Sequence, residues 1–443
     1  VRPLAAILGG AALLAWPAAL NLYPLVFIDT ASYLMHTTEG TTPWDKTPAY
    51  GPFLHLFHWE RTLWPAVAAQ VLVASHLIWL LLRTVRVATA ASHLLTCGAL
   101  TALSSAPWAL ATLMPDALTA LGPLCLLLLG FGRLSRAETA WVGAIGTVAI
   151  ASHLSHLPVA VGLVLLTALL ARRVAPVLRA AAPAALAIGL LLGSNAVSFG
   201  RVTLSPHGSV FLLARLQEDG PAAAVIRARC PEAGWHLCAF ADRLPMDSDA
   251  FLWDGNSPLN READGGYRAM GGMRGAAEAR EIVAATLRER PWEVAGTMLR
   301  NAATQLITTR VGDTLGNQHL AASARRYVAA HFPPRELAAF DAGAQMRGEL
   351  PARAAPLLVP HLPVLVLSAA AALALLWRAA RQRDILRAAV ILFALAALAG
   401  NAAATGAGSK PHHRYQARIA WLLPLAVLAA ALPAAATQRD RVQ

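Results

Sequence analysis

Charge is scarce in this chain. Asp, Glu, Lys and Arg make up 14% of its 443 residues, against about 25% in an ordinary soluble domain. With 56% hydrophobic residues and a mean hydropathy of +0.49, that deficit argues against a water-soluble assembly of two or three domains and points to lipid as the main solvent. Acidic residues are scarcer than basic ones, 25 against 37, leaving a net charge of +12. No basic stripe with interleaved aromatics accompanies the excess, so nucleic acid is not an expected partner. There is no internal repeat, no low-complexity tail and no long linker. Cysteine is limited to four residues. Cys97 and Cys125 fall inside apolar runs. Cys230 and Cys238 sit close together in a polar segment, at a spacing that suits a disulfide better than zinc.

What is present in quantity is apolar sequence. A helix needs about 20 apolar residues to cross the hydrocarbon. Runs of that kind fall near residues 4–27, 63–82, 87–105, 117–132, 139–155, 157–171, 181–199, 356–377, 387–404 and 419–436. The first lacks a small-residue cleavage site and reads as a retained span. The expected fold is therefore an all-α, multi-pass membrane protein of about ten transmembrane helices. Residues 1–199 form a bundle that includes the loop 29–62, residues 200–355 form a mostly helical segment in water, and residues 356–443 return to the membrane. Residues 291–313 carry apolar positions at helical spacing, which fits either an interfacial amphipathic helix or a core helix.

Basic residues set the orientation. Arg83 and Arg86, Arg133 and Arg136, Arg172, Arg173 and Arg179, Arg378, Arg381, Arg383 and Arg387, and Arg439 and Arg441 all fall on one side if the spans alternate. That side, with both termini, is expected in the cytoplasm, and the membrane is then the cytoplasmic (inner) membrane. The opposite side receives 29–62, 106–116, 153–157, 200–355 and 405–417. The aromatics of the first of these loops suit short helices lying in the interface.

Chemistry-bearing residues gather on that opposite side. Asp29 follows the first span directly; alternatively, it or Thr30 caps a short helix. Asp116 follows Pro115 and again has a capping alternative. Two carboxylates converging on one mouth could orient an acceptor, hold a divalent cation or shift each other's pKa. Lys410, His412, His413, Arg414 and Arg418 crowd the last loop and the start of the last span, against the orientation bias. Such cations suit phosphate, with headgroup anchoring as the alternative. His153 and His156 lie one turn apart, where interhelical hydrogen bonding outweighs metal ligation. Lys46 and Tyr50 close the first loop, either to touch a charged or sugar-like ligand or to turn the chain.

Three elements resemble the GT-C superfamily of membrane glycosyltransferases, which includes protein O-mannosyltransferases, the lipid A aminoarabinose transferase and lipopolysaccharide sugar transferases. They are Asp29-Thr30-Ala31-Ser32-Tyr33 after the first span, Lys46-Thr47-Pro48-Ala49-Tyr50-Gly51-Pro52 at the end of the first loop, and Arg414-Tyr415 before the last apolar run. Thr30 stands where many relatives carry a second acid, and Lys46 where they carry Arg. The resemblance implies inverting transfer of a sugar from a polyprenyl-phosphate donor to a lipid, glycan or protein acceptor at the outer face. Asp29 would serve as general base with Asp116 beside it. Arg414, Lys410 or Arg418 would stabilise the leaving phosphate, and Tyr33, Lys46, Tyr50, His153, His156 and Tyr415 would line the substrate site. A non-catalytic scaffold of the same fold and a transporter or flippase of lipid-linked substrates are the alternatives. Ionisable residues at span ends and the absence of repeat halves count against transport.

The charge pattern makes a topological prediction. A cysteine introduced as Asp264→Cys should react with a membrane-impermeant maleimide in intact spheroplasts, whereas Arg381→Cys should react only after lysis. Equal labelling of both would overturn the orientation.

Overall fold

The computed structural model describes residues 2–433. It is 72% helical and contains no strand among those residues. Among the described residues, four helices are long and apolar enough to cross a membrane: Trp64–Thr84, Val174–Phe199, Leu350–Gln382 and Ile385–Gly408. Four shorter apolar helices accompany them: Pro3–Leu14, Ala90–Leu103, Asp116–Phe131 and His156–Ala171. By length and composition, then, the described residues show an all-α chain with four helices of full bilayer length, and ten spans are not shown.

The departures have local causes. The run 4–27 does not form one helix. It breaks at Ala15, restarts at Trp16 with Pro17 in its first turn, and ends at Asn21 with Leu22 in the left-handed region. Tyr23 to Phe27 are then non-helical. Leu25 bridges Thr112, and Gln345 bonds both backbone groups of Val26. An apolar stretch whose backbone groups are satisfied by distant partners has no need to continue as a helix. The run 139–155 is helical over Arg136–Ala151 only. The run 181–199 begins earlier, at Val174, so Arg179 lies on the helix rather than in a loop. Residues 356–377 belong to a longer stretch from Leu350, turned at Val359–Pro360. The last run splits into His413–Ala420 and Leu422–Ala431. Arg439 and Arg441 lie outside the described residues.

Helix ends gather in two groups. At one end Arg83 pairs with Glu138 at 2.7 Å and reaches the carbonyl of Arg133, while Arg387 donates to Leu432 O. At the other, Thr47 donates to Ser152 O, Ser105 to Ala417 O and Gln70 to Leu110 O. This second end also holds the short helices Thr30–Thr38 and Tyr50–His58 of the first loop.

The buried apolar residues of 200–355 divide between two cores. Residues between Val210 and Val294 enclose their own apolar core, around Phe251, Leu213 and Ile282. Leu315, Leu320, Val328, Phe332 and Phe340 instead join the core of the bundle. Between them, the amphipathic helix Pro291–Ile307 lies along Ile385–Gly408. Gly406 permits that approach: a Cβ there would stand 2.6 Å from the carbonyl oxygen of Asn301. Gly406→Leu should therefore destabilise the fold by about 1–3 kcal/mol through overpacking, read as a lowered unfolding temperature in detergent. An unchanged melting curve would show that the helix is not seated there.

Candidate functional site

Asp29 stands at the N-terminal boundary of Thr30–Thr38, yet its side chain makes no capping bond. Thr30 takes the local work, accepting from Phe27 N and donating to Leu113 O. The Asp29 carboxylate is left for two cations from far along the chain. Lys46 Nζ lies 3.0 Å from Oδ1, and Arg414 Nη1 lies 3.3 Å from Oδ2. Burial alone would raise this carboxyl; Lys46, and then Arg414, outweigh it and hold it down to about 2. Burial would lower Lys46 as well, but Asp29 and Asp45 drive it above the usual lysine range. Because the carboxyl is depressed in the fold, its stabilising contribution is present above its ordinary value of 3.8 and is lost only as pH falls toward about 2.

Arg414 lies over the Phe27 ring at 4.6 Å and beside the Tyr415 ring at 5.1 Å. One helical turn further along, Arg418 enters the bundle and pairs with Asp116 at 3.0 Å. Both partners are buried, at 3% and 5% exposure. Arg418 also meets Ser155 Oγ at 3.2 Å, which ties the turn after Arg136–Ala151 to this pair. Asp116 opens its short helix after Pro115 and makes an ion pair across the bundle. Asp29 and Asp116 therefore do not pair with each other; cations separate them. A recess of about 370 Å³, counted to its open mouth, is lined by Trp108, Met114, Asp116, Asp313, Arg414 and Arg418 among others.

The remaining sequence-derived candidates divide. Tyr33 and Tyr50 are buried edge to face, 5.0 Å between centroids, beside Lys46 and Asp29. The Tyr50 hydroxyl donates to Gln70 at 2.5 Å and so is already satisfied. His156 donates through Nδ1 to Ala149 O at 2.7 Å, and its Nε2 accepts from Thr119 at 3.0 Å. This is the interhelical hydrogen-bonding pattern, with no nitrogen left for a metal. His153 pairs with Ser155 and packs on His156. Tyr415 is held between Arg414 and Arg418. Cys230 and Cys238 are joined by a disulfide, while Cys97 and Cys125 are buried and free.

Lys410, expected beside Arg414 as a phosphate partner, has other partners. It turns away from Arg414 and pairs with Asp247, with Asp249 at 3.5 Å. His412 reaches Asp249 at 3.2 Å. These carboxylates belong to the separate core at 210–294, and they draw Lys410 toward it. Among the described residues, no group of three His, Cys, Asp or Glu side chains comes together as a metal ion would need.

Sequence reasoning missed Asp45, 3.0 Å from Lys46, although adjacency to Lys46 was the signal. It missed Phe27 beneath Arg414 and Asn401, which bonds Tyr415 O and Gln416. It also missed Asp313, whose loop carries no motif. No family profile, curated protein or solved structure matches this chain.

The buried pair supplies a stability prediction. Arg418→Leu strands the Asp116 carboxylate and should cost about 3–5 kcal/mol. Asp116→Asn in the same chain should recover part of that loss. Thermal unfolding of the two variants measures it, and an unaffected single variant would mean that the pair is not formed.

Proposed function

We propose that this chain transfers a sugar from a polyprenyl-phosphate donor to an acceptor at the outer face of the cytoplasmic membrane, by inverting displacement, as a GT-C-type glycosyltransferase. The Asp29 end of the bundle then faces outward and the arginine-rich end faces the cytoplasm. The observation that carries this reading is the ion pair between Asp29 and Arg414, which closes one end of an apolar bundle with residues 385 positions apart.

The chemistry follows from charge. A lipid phosphate leaving an anomeric carbon is already a weak base, so it needs charge stabilisation more than a proton. Arg414 and Lys46 are the two cations paired with Asp29 there. A guanidinium engages a phosphate through two N–H groups, and preorganised cations act without reorganising when the charge develops. Asp29 holds both in place. With both oxygens ion-paired and its pKa near 2, its carboxylate is a poor proton acceptor in this state. The stacked Phe27 and Tyr415 rings fix the Arg414 plane.

Two variants test the reading. Arg414→Ala should reduce transfer by about 100-fold or more, and Asp29→Asn should release both cations and reduce it comparably. The measurement is the envelope glycan of the native host carrying only the variant chain, by mass spectrometry, with membrane levels of the chain as control. Unchanged glycans in both strains would sink the assignment.

A further inference from the structure

Three carboxylates surround Arg414, and they are not equivalent. Both oxygens of Asp29 are ion-paired. Asp116 is buried against Arg418. Asp313 differs from both. Its Oδ2 accepts the backbone N–H of Arg414 at 2.9 Å. Among the described residues no side-chain cation pairs with it, and its Oδ1 accepts no hydrogen bond from protein. Asp313 is exposed, yet it lines the same recess as Asp116, Arg414 and Arg418. Gly312, at φ +129°, sets the backbone just before it in a conformation that a side chain would strain.

A general base needs an uncommitted lone pair within reach of the substrate hydroxyl. We propose, resting on the sugar-transfer reading above, that Asp313 is that base, taking the acceptor's proton on Oδ1. His413 is the nearest competitor. Its Nδ1 accepts the backbone N–H of Arg310 at 3.1 Å, so the neutral ring carries its proton on Nε2 and offers no lone pair.

In the step itself, the acceptor O–H bond breaks and its proton passes to Asp313. The freed electron pair forms the bond to the anomeric carbon. The bond from that carbon to the phosphate oxygen breaks, and its electrons leave on the phosphate, facing the Arg414 guanidinium. Inversion needs the base and the leaving-group stabiliser on opposite sides of the reacting carbon. Arg414 spans that separation, with its backbone at Asp313 and its guanidinium at Asp29. The titratable and charged groups around Asp313 include Arg414, His413 and Asp116. The surrounding protein raises its carboxyl and Asp116 adds to the rise, while Arg414 and His413 oppose it. The result is a stronger base than Asp29.

Asp313→Asn keeps an oxygen for the Arg414 N–H and so keeps the fold. Transfer is measured in host membranes containing the wild-type or variant chain as the only copy, from acid to neutral pH. Binding of farnesyl phosphate to the purified chain is followed by tryptophan fluorescence, Trp108 lining the recess. The expected result is a loss of about 100-fold or more in transfer with farnesyl phosphate binding retained. Asp313→Glu should restore part of the rate and move the acid limb of the pH profile. Transfer within about threefold of wild type, or equal loss of transfer and binding, overturns the role of Asp313. An active wild type whose acid limb is removed by Asp29→Asn and not by Asp313→Asn assigns the proton to Asp29 and overturns it too. A wild type that transfers no lipid-linked sugar overturns the sugar-transfer reading, and the base assignment falls with it.

Discussion

Arg414 meeting Asp29 is the contact on which this end of the bundle depends. A carboxylate left alone beside apolar helix ends would be pushed toward its neutral form, and a lone guanidinium there would have no comparable remedy. Paired, each keeps its charge. The pairing also fixes topology, because it fastens the chain just after its first helices to the start of its last. Lys46 adds the end of the first loop to the same carboxylate, and Arg418 with Asp116 repeats the device one turn deeper, away from water. Two ion pairs at different depths constrain the last helix in both height and rotation, which one pair alone would not do.

Much of this was legible in the sequence, for a physical reason. Scarce charges in an apolar chain must be satisfied by one another, so Asp29, Asp116, Arg414 and Arg418 stood out by rarity alone. Which pairs with which was not legible. Asp29 and Asp116 read equally as partners or as caps, and only the rotation of His413–Ala420 assigns Arg414 to one and Arg418 to the other. Lys410 reads as one of that basic group until its distant partners, Asp247 and Asp249, are seen. Asp313 was invisible for the opposite reason. It lies in a polar loop, where one more carboxylate carries no surprise.

Helix lengths were legible only in part. Hydropathy located the apolar runs but said nothing of where backbone groups find distant partners. Tyr23 to Phe27 are as apolar as the helix before them. They leave the helical path where Gln345, the carbonyl of Ala111 and the N–H of Leu113 supply what a helix would otherwise supply internally. The polar segment 200–355 likewise read as one piece, since composition does not reveal which apolar residues share a core. Its first part folds around Phe251, and its last part completes the bundle.

The amide of Gln305 bonds His412 twice, donating to its carbonyl and accepting its N–H. The helix carrying Gln305 is pressed on Ile385–Gly408 at Gly406. Two residues beyond His412 stands Arg414. The seat of that helix at Gly406 and the reach of the guanidinium across Phe27 are thus set within one short stretch of chain.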